Sequence, residues 1–134
     1  MHVDYAFICD YAEARDKVNA LGIGFDTIFA PQLPARHRHF YVVVQLRFGV
    51  TEVGTKDVAI HLIDADGNDV MPPINGQLQV NPPPLGMLEN TARLTMDFGN
   101  IEFRNYGNYS VRVSIDRQEV VSIPLRVAEP PRTV

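Results

Sequence analysis

The sequence predicts an all-β domain built as a two-sheet antiparallel β-sandwich, and three observations carry that reading. Several segments alternate apolar and polar residues with a period of two, the mark of a half-buried strand. Turn signals rich in Gly, Asp, Asn and Pro recur every ~8–12 residues, as in sandwiches and barrels. The clearest pair of segments lies near the end, where Tyr109, Val111, Val113 and Ile115 alternate with Ser110, Arg112, Ser114 and Asp116. Asp116 to Glu119 turns the chain back, and Val121, Ile123, Leu125 and Val127 repeat the alternation. A lone hairpin is marginal in water, so the rest of the chain must cover its apolar face.

Val3, Tyr5, Phe7 and Cys9 share one parity and begin a first strand almost at Met1. Asp10 to Leu21 is ambiguous: Asp10 with Glu13 suits a helix cap, and Ala14, Val18 and Leu21 fall near helical spacing. The stretch is short and runs into Gly22 and Gly24, which favours a loop or one helical turn over 11–16 and a strand from Lys17. Leu21, Ile23 and Phe25 share a face while Ile28 is out of phase, so a β-bulge is expected near Asp26.

Pro31 to His39 reads as a polar loop, and Phe40 to Phe48, FYVVVQLRF, as a central strand covered on both faces. Val58, Ile60 and Leu62 carry the next strand. Asp64-Ala65-Asp66-Gly67 is a turn, because Asp side chains accept from nearby backbone N–H groups and Gly takes positive φ. After Pro72-Pro73 the chain recovers at Leu78 and Val80, the pattern of an edge strand or a switch between sheets. Asn81 to Asn90 holds three successive prolines and reads as an extended crossover. Leu94, Met96 and Phe98 alternate, Gly99-Asn100 reads as a turn, and Ile101 and Phe103 begin a further strand. The count is about eight or nine strands with at most one short helical turn. Residues 1–128 form a single expected domain, followed by a proline-containing tail over 129–134.

Bulk properties bound the function. A chain of 134 residues makes one domain that buries roughly two-thirds of its unfolded surface. A net charge of −4 argues against a nucleic-acid binder that relies on bulk positive charge. Cys9 is the one cysteine, so no internal disulfide forms and a reducing compartment is expected. The N-terminus lacks a basic, apolar leader, and no segment approaches the ~18 apolar residues of a membrane span. These features point to a cytoplasmic protein that engages no membrane.

Candidate sites were weighed against ordinary structural roles. Gly107-Asn108-Tyr109 at the head of an alternating strand resembles the tyrosine corner of immunoglobulin-like sandwiches, where the hydroxyl reaches back to upstream backbone. Gly107 and Tyr109 are therefore structural anchor candidates. Asp64, Asp66 and Asp69 offer oxygen ligands, but the spacing fails the EF-hand pattern, and a solvated turn is favoured. His37 and His39 lie two apart, yet Arg36 and Arg38 beside them oppose a cation. No metal or other cofactor is expected. Cys9 shares the apolar parity of its strand and reads as an inert small hydrophobe. Serine-nucleophile, phosphate-loop and HExxH motifs are absent from the sequence. A deep pocket gathering His61, Asp10 and Tyr11 is what an enzyme on this chain would require.

Surfaces for a protein partner are better represented. Pro82-Pro83-Pro84-Leu85-Gly86-Met87-Leu88 exposes apolar groups on a stiff crossover unless it packs down. Arg36 and Arg38 form a basic patch for an acidic partner. Pro124 places the last strand at or near a sheet edge, with Ser122 on its exposed face, and an edge can pair with a second copy. The expected function is a non-enzymatic protein-binding or self-assembling module. The alternative is a small-ligand or metal-ion module using the 64–69 acidic turn or the 36–39 His/Arg loop.

Several pieces together resemble a small, uncharacterised bacterial family of domains of unknown function. They are Cys9-Asp10-x-Ala12, Lys17-Val18-Asn19 leading to Gly22, Phe25-Asp26-x-Ile28, the Asp66-Gly67 turn and Phe103 with Gly107-x-Tyr109. The resemblance implies an immunoglobulin-like β-sandwich and brings no activity, ligand or catalytic residue.

Overall fold

The computed structural model describes residues 1–132 apart from the Arg38 side chain; positions 133 and 134 of the expected tail lie outside the described residues. Among the described residues the chain forms ten strands: β1 (His2–Cys9), β2 (Tyr11–Ala14), β3 (Val18–Leu21), β4 (Thr27–Phe29), β5 (Ala35–Gly49), β6 (Gly54–Ile63), β7 (Ile74–Val80), β8 (Glu89–Phe103), β9 (Gly107–Ile115) and β10 (Gln118–Ala128). A single 3-10 turn spans Val50–Glu52. The strands build an antiparallel sheet in the order β1-β5-β8, a mixed sheet in the order β4-β10-β9-β6-β7, and the separate hairpin β2-β3.

One apolar cluster joins the two larger sheets. From the first come Phe40, Val42, Val44, Leu46, Phe48 and Phe98; from the second come Ile60, Leu62, Val111, Val113 and Leu125. All are almost fully buried, and each such side chain contributes roughly 1.5–3 kcal/mol relative to exposure. β5 is covered on its other face too. Val43 packs there with Cys9 and Ala12, under β2 and β3. The run of three valines thus serves two cores, as a strand apolar on both faces should.

That second core explains the region of helical spacing. Residues 11–14 are not a helical turn: they pair with 18–21, Tyr11 opposite Leu21 and Ala14 opposite Val18. Small residues at 12 and 20 let this hairpin lie close over Val43 and Cys9, and tertiary contact overrides local propensity. No bulge reconciles Leu21 with Ile28. The chain turns through Gly22 (φ 66°) and Gly24 (φ 83°), and Ile28 starts afresh on β4, parallel to β10. At Gly22 a Cβ would meet the Asp10 carboxylate, so that glycine answers to close approach as well as φ.

Two further expectations give way. Residues 35–39 are not a loop but the start of β5, paired with β8 from Ala35–Phe103 to Gly49–Glu89. Gly99-Asn100 does not end a strand. β8 continues through it, with Asn100 in the left-handed region at φ 54°. The inward parity changes there in both strands: Phe40 and Phe98 face the core on one side, Ala35, Ile101 and Phe103 on the other. The closing hairpin turns through Asp116 and Arg117, both at positive φ. Asp116 is held by β6, its N–H donating to the Asp57 carbonyl at 2.8 Å and its carboxylate accepting from Asp57 N–H at 2.8 Å.

A polar network that the sequence did not announce ties β1, β5 and β8 together. Asp4 lies at the register shift between Val3 and Tyr5. Its carboxylate accepts from Gln45 Nε2 at 2.7 Å and from Arg47 Nε at 2.7 Å. Gln45 Oε1 in turn accepts from Tyr5 Oη and Arg93 Nε, each at 2.9 Å. The Gln45 amide, then the Arg47 guanidinium, hold the Asp4 carboxyl below its ordinary value of 3.8 despite some desolvation. A depressed carboxyl stabilises the fold above its unfolded value and loses that contribution as pH falls through the folded one. Asp4→Asn should therefore lower the urea midpoint at pH 7, and the gap to the parent should close as pH drops below about 3.8. A gap that is unchanged in acid rules out the carboxylate as its source.

Candidate functional site

The residues singled out from sequence fall in separate places. Gly107 (φ 138°) opens β9, and the Tyr109 hydroxyl donates to the Asn105 carbonyl at 2.7 Å. The 104–106 connection it grips carries the chain from the three-stranded to the five-stranded sheet. Tyr106 grips the same connection from outside the reading of the sequence, donating to the Ala30 carbonyl at 2.8 Å.

The acidic turn spends its carboxylates on the fold. Asp64 Oδ1 accepts from the N–H groups of Asp66 at 3.0 Å and Asn68 at 2.9 Å. Asp69 lies 3.0 Å from His61 Nδ1. His39 Nδ1 lies 2.7 Å from Asp97 across the β5–β8 pair, and Arg36 pairs with Glu102 at 3.7 Å. His37 instead packs beside the rings of Phe25 and Phe40, centroids 6.2 and 6.0 Å away, with a buried Nε2 that has no partner. The change of inward parity in β5 thus sends His37 and His39, two apart, to different partners. Among the described residues, no three His, Cys, Asp or Glu side chains are grouped to hold a metal ion.

The structure does not gather His61, Asp10 and Tyr11. Asp10 lines an open cleft of about 510 Å³ with Gly22, Ile23, Phe25, Phe29 and His37. His61 stays with Asp69 on β6, and Tyr11 packs edge-on against Tyr41 at 5.3 Å. Cys9 is fully buried. Burial, then the Asp10 carboxylate, pushes its thiol up, which keeps it protonated and a poor nucleophile at neutral pH.

Large apolar side chains are exposed at several places, Leu21, Ile23, Phe29 and Val50 among them, and the two most exposed lie in the crossover between β7 and β8. Leu85 is 105 % exposed, Leu88 80 % and Met87 59 %. Pro82, Pro83 and Pro84 stiffen the approach, and Gly86 at φ 84° lets a tight turn present the three side chains, closed by Met87 N–H on the Pro84 carbonyl at 2.9 Å. Leu88 closes the cluster, as the run of residues in the sequence leads one to expect. Ser122 and Pro124 are also exposed. They lie on β10, one strand in from the margin, opposite Arg112 and Ser110 of β9. β4 covers the other side of β10 only at Arg126–Ala128, and β1 runs beside β10.

Fold and site together define a strand-built domain with a group of large apolar side chains exposed on the β7–β8 crossover. Residues 4–128 match the DUF6941 family, a family of unknown function, and the chain belongs to it. A search of curated proteins finds no match. No helix among the described residues is long and apolar enough to cross a membrane.

Proposed function

We propose that this protein is a non-enzymatic binding module of the cytoplasm, an immunoglobulin-like sandwich whose partner is another protein. The observation that carries the reading is the 85–88 turn, where three large apolar side chains face solvent on a proline-stiffened crossover. Solvent-facing leucines cost solubility, and rigid apolar anchors are what a protein interface uses: little entropy is lost when they dock. The tyrosine-corner hydrogen bond and the single core shared by two sheets support the immunoglobulin-like assignment. The ligand or metal alternative has less support, since Asp64, Asp69 and His39 already serve partners within the fold.

The test places a photo-crosslinking residue at position 87, beside the two leucines, in the source cell and compares recovery between the parent chain and the same chain carrying Leu85→Glu or Leu88→Glu. Each charge should reduce recovery of a specific protein at least about tenfold, the equivalent of one modest hot spot. Both variants should melt like the parent, because neither side chain is buried. Equal recovery by parent and variants, or no specific protein from the parent, sinks the reading.

A further inference from the structure

We propose that β8 is a self-complementary edge through which two copies of this chain pair antiparallel about a twofold axis at Thr95. This deepens the binding-module reading by naming a second copy as one partner, on a surface separate from the 85–88 turn.

β8 is 15 residues long and, among the described residues, pairs with β5 alone. No other strand pairs with its outer side among the described residues, and of the backbone groups there Thr91 N–H is already taken, donating to Asn90 Oδ1 at 3.0 Å. The remaining margins are blunted by the usual devices. β1 carries the register shift at Asp4, β4 has three residues, β7 has seven between two proline runs, and β10 carries Pro124. β8 has no proline and no lysine, and its pairing with β5 runs without a register shift.

The order of side chains then selects a partner. Along a strand, N–H and C=O groups point alternately to either side. Two identical antiparallel strands can therefore oppose only residues of like parity, and the twofold axis passes over a residue. An axis at Arg93 sets Arg93 on Arg93 and Glu89 on Asp97. An axis at Asp97 sets Asp97 on Asp97. The axis at Thr95 sets Arg93 opposite Asp97 of the second copy, and symmetry makes that pair twice. It also sets Leu94 opposite Met96, both half-buried at the sheet margin. In this register Asn90 lies opposite Asn100, the left-handed residue beyond which the inward parity of β8 changes. Arg93 and Asp97 are exposed, and each is oriented along the outer face by β5. Arg93 Nε donates to Gln45 at 2.9 Å, and Asp97 lies 2.7 Å from His39. The product is a continuous six-stranded sheet, β1-β5-β8 twice over.

Light scattering on the full chain should give twice the 15.0 kDa single-chain mass. Arg93→Asp and Asp97→Arg each bring like charges face to face at two places and should weaken pairing at least about tenfold. An equal mixture of the two variants should form a one-to-one dimer, because the acidic strand of one then faces the basic strand of the other. Native mass spectrometry resolves that species. A parent that stays at single-chain mass up to millimolar concentration overturns the proposal. So does a dimer indifferent to both substitutions, or a mixture that does not pair. Leu85→Glu should leave the self-dimer intact while it blocks capture at the loop, so the two readings fail separately.

Discussion

Phe98→Ala is expected to remove about 3–5 kcal/mol of folding stability, the range for a buried aromatic truncated to alanine. Phe98 lies directly opposite Phe40 across the β5–β8 pair, with ring centroids 4.9 Å apart and planes 6° from parallel. Both are almost wholly buried, at 1 % and 0 % exposure. Phe25 closes over Phe40 edge-on, at 6.5 Å and 88°. The neighbourhood cannot collapse into the void easily, because both strands change their inward parity just beyond this pair. Domains are stable by only about 5–15 kcal/mol, so the variant should lose a large share of its margin. Urea unfolding measures it, and Phe98→Leu, which keeps more volume, should lose less. A loss within about 0.5 kcal/mol, like that of a surface change, contradicts the packing described.

The parts of the fold legible in the sequence are those where one face alone is buried. β6, β9 and β10 alternate cleanly because polar residues take the solvent side. β5 was legible for the opposite reason: its unbroken apolar run signalled two covered faces. What covers the second face was not legible. Ala12 and Ala20 carry little hydrophobic signal of their own, and the hairpin they form exists because Val43 and Cys9 need a lid. Arg36 to His39 failed as a loop because backbone pairing with β8 makes a strand whatever the side chains. Gly99-Asn100 reads as a turn, yet β8 passes through it, since a strand can accommodate one residue at positive φ. The exposed crossover was legible because prolines advertise it. The Asp4–Gln45–Arg93 network and the open side of β8 were not, because each depends on which strands lie side by side.

Tyr109→Phe should cost roughly 0.5–1.5 kcal/mol at neutral pH, the net worth of one intramolecular hydrogen bond. The ring would stay. It packs edge-on against Phe103, centroids 4.9 Å apart at 78°, and the residue is buried. What goes is the hydroxyl that holds the Asn105 carbonyl at the passage from one sheet to the other. The pH dependence separates the buried hydroxyl from general ring packing. Burial, with the Asp64 carboxylate adding to it, pushes the Tyr109 hydroxyl above its ordinary value of 10.0. The unfolded chain therefore releases that proton first. The stabilisation is whole below about pH 10 and is lost as pH rises through the folded value. Parent and variant should thus differ most at neutral pH and converge in alkali, measured as paired urea midpoints from pH 7 upward. The other tyrosines titrate in both proteins and cancel in the difference. A difference that holds constant above pH 10 would show that the hydroxyl is not the anchor and that packing alone fixes the crossover.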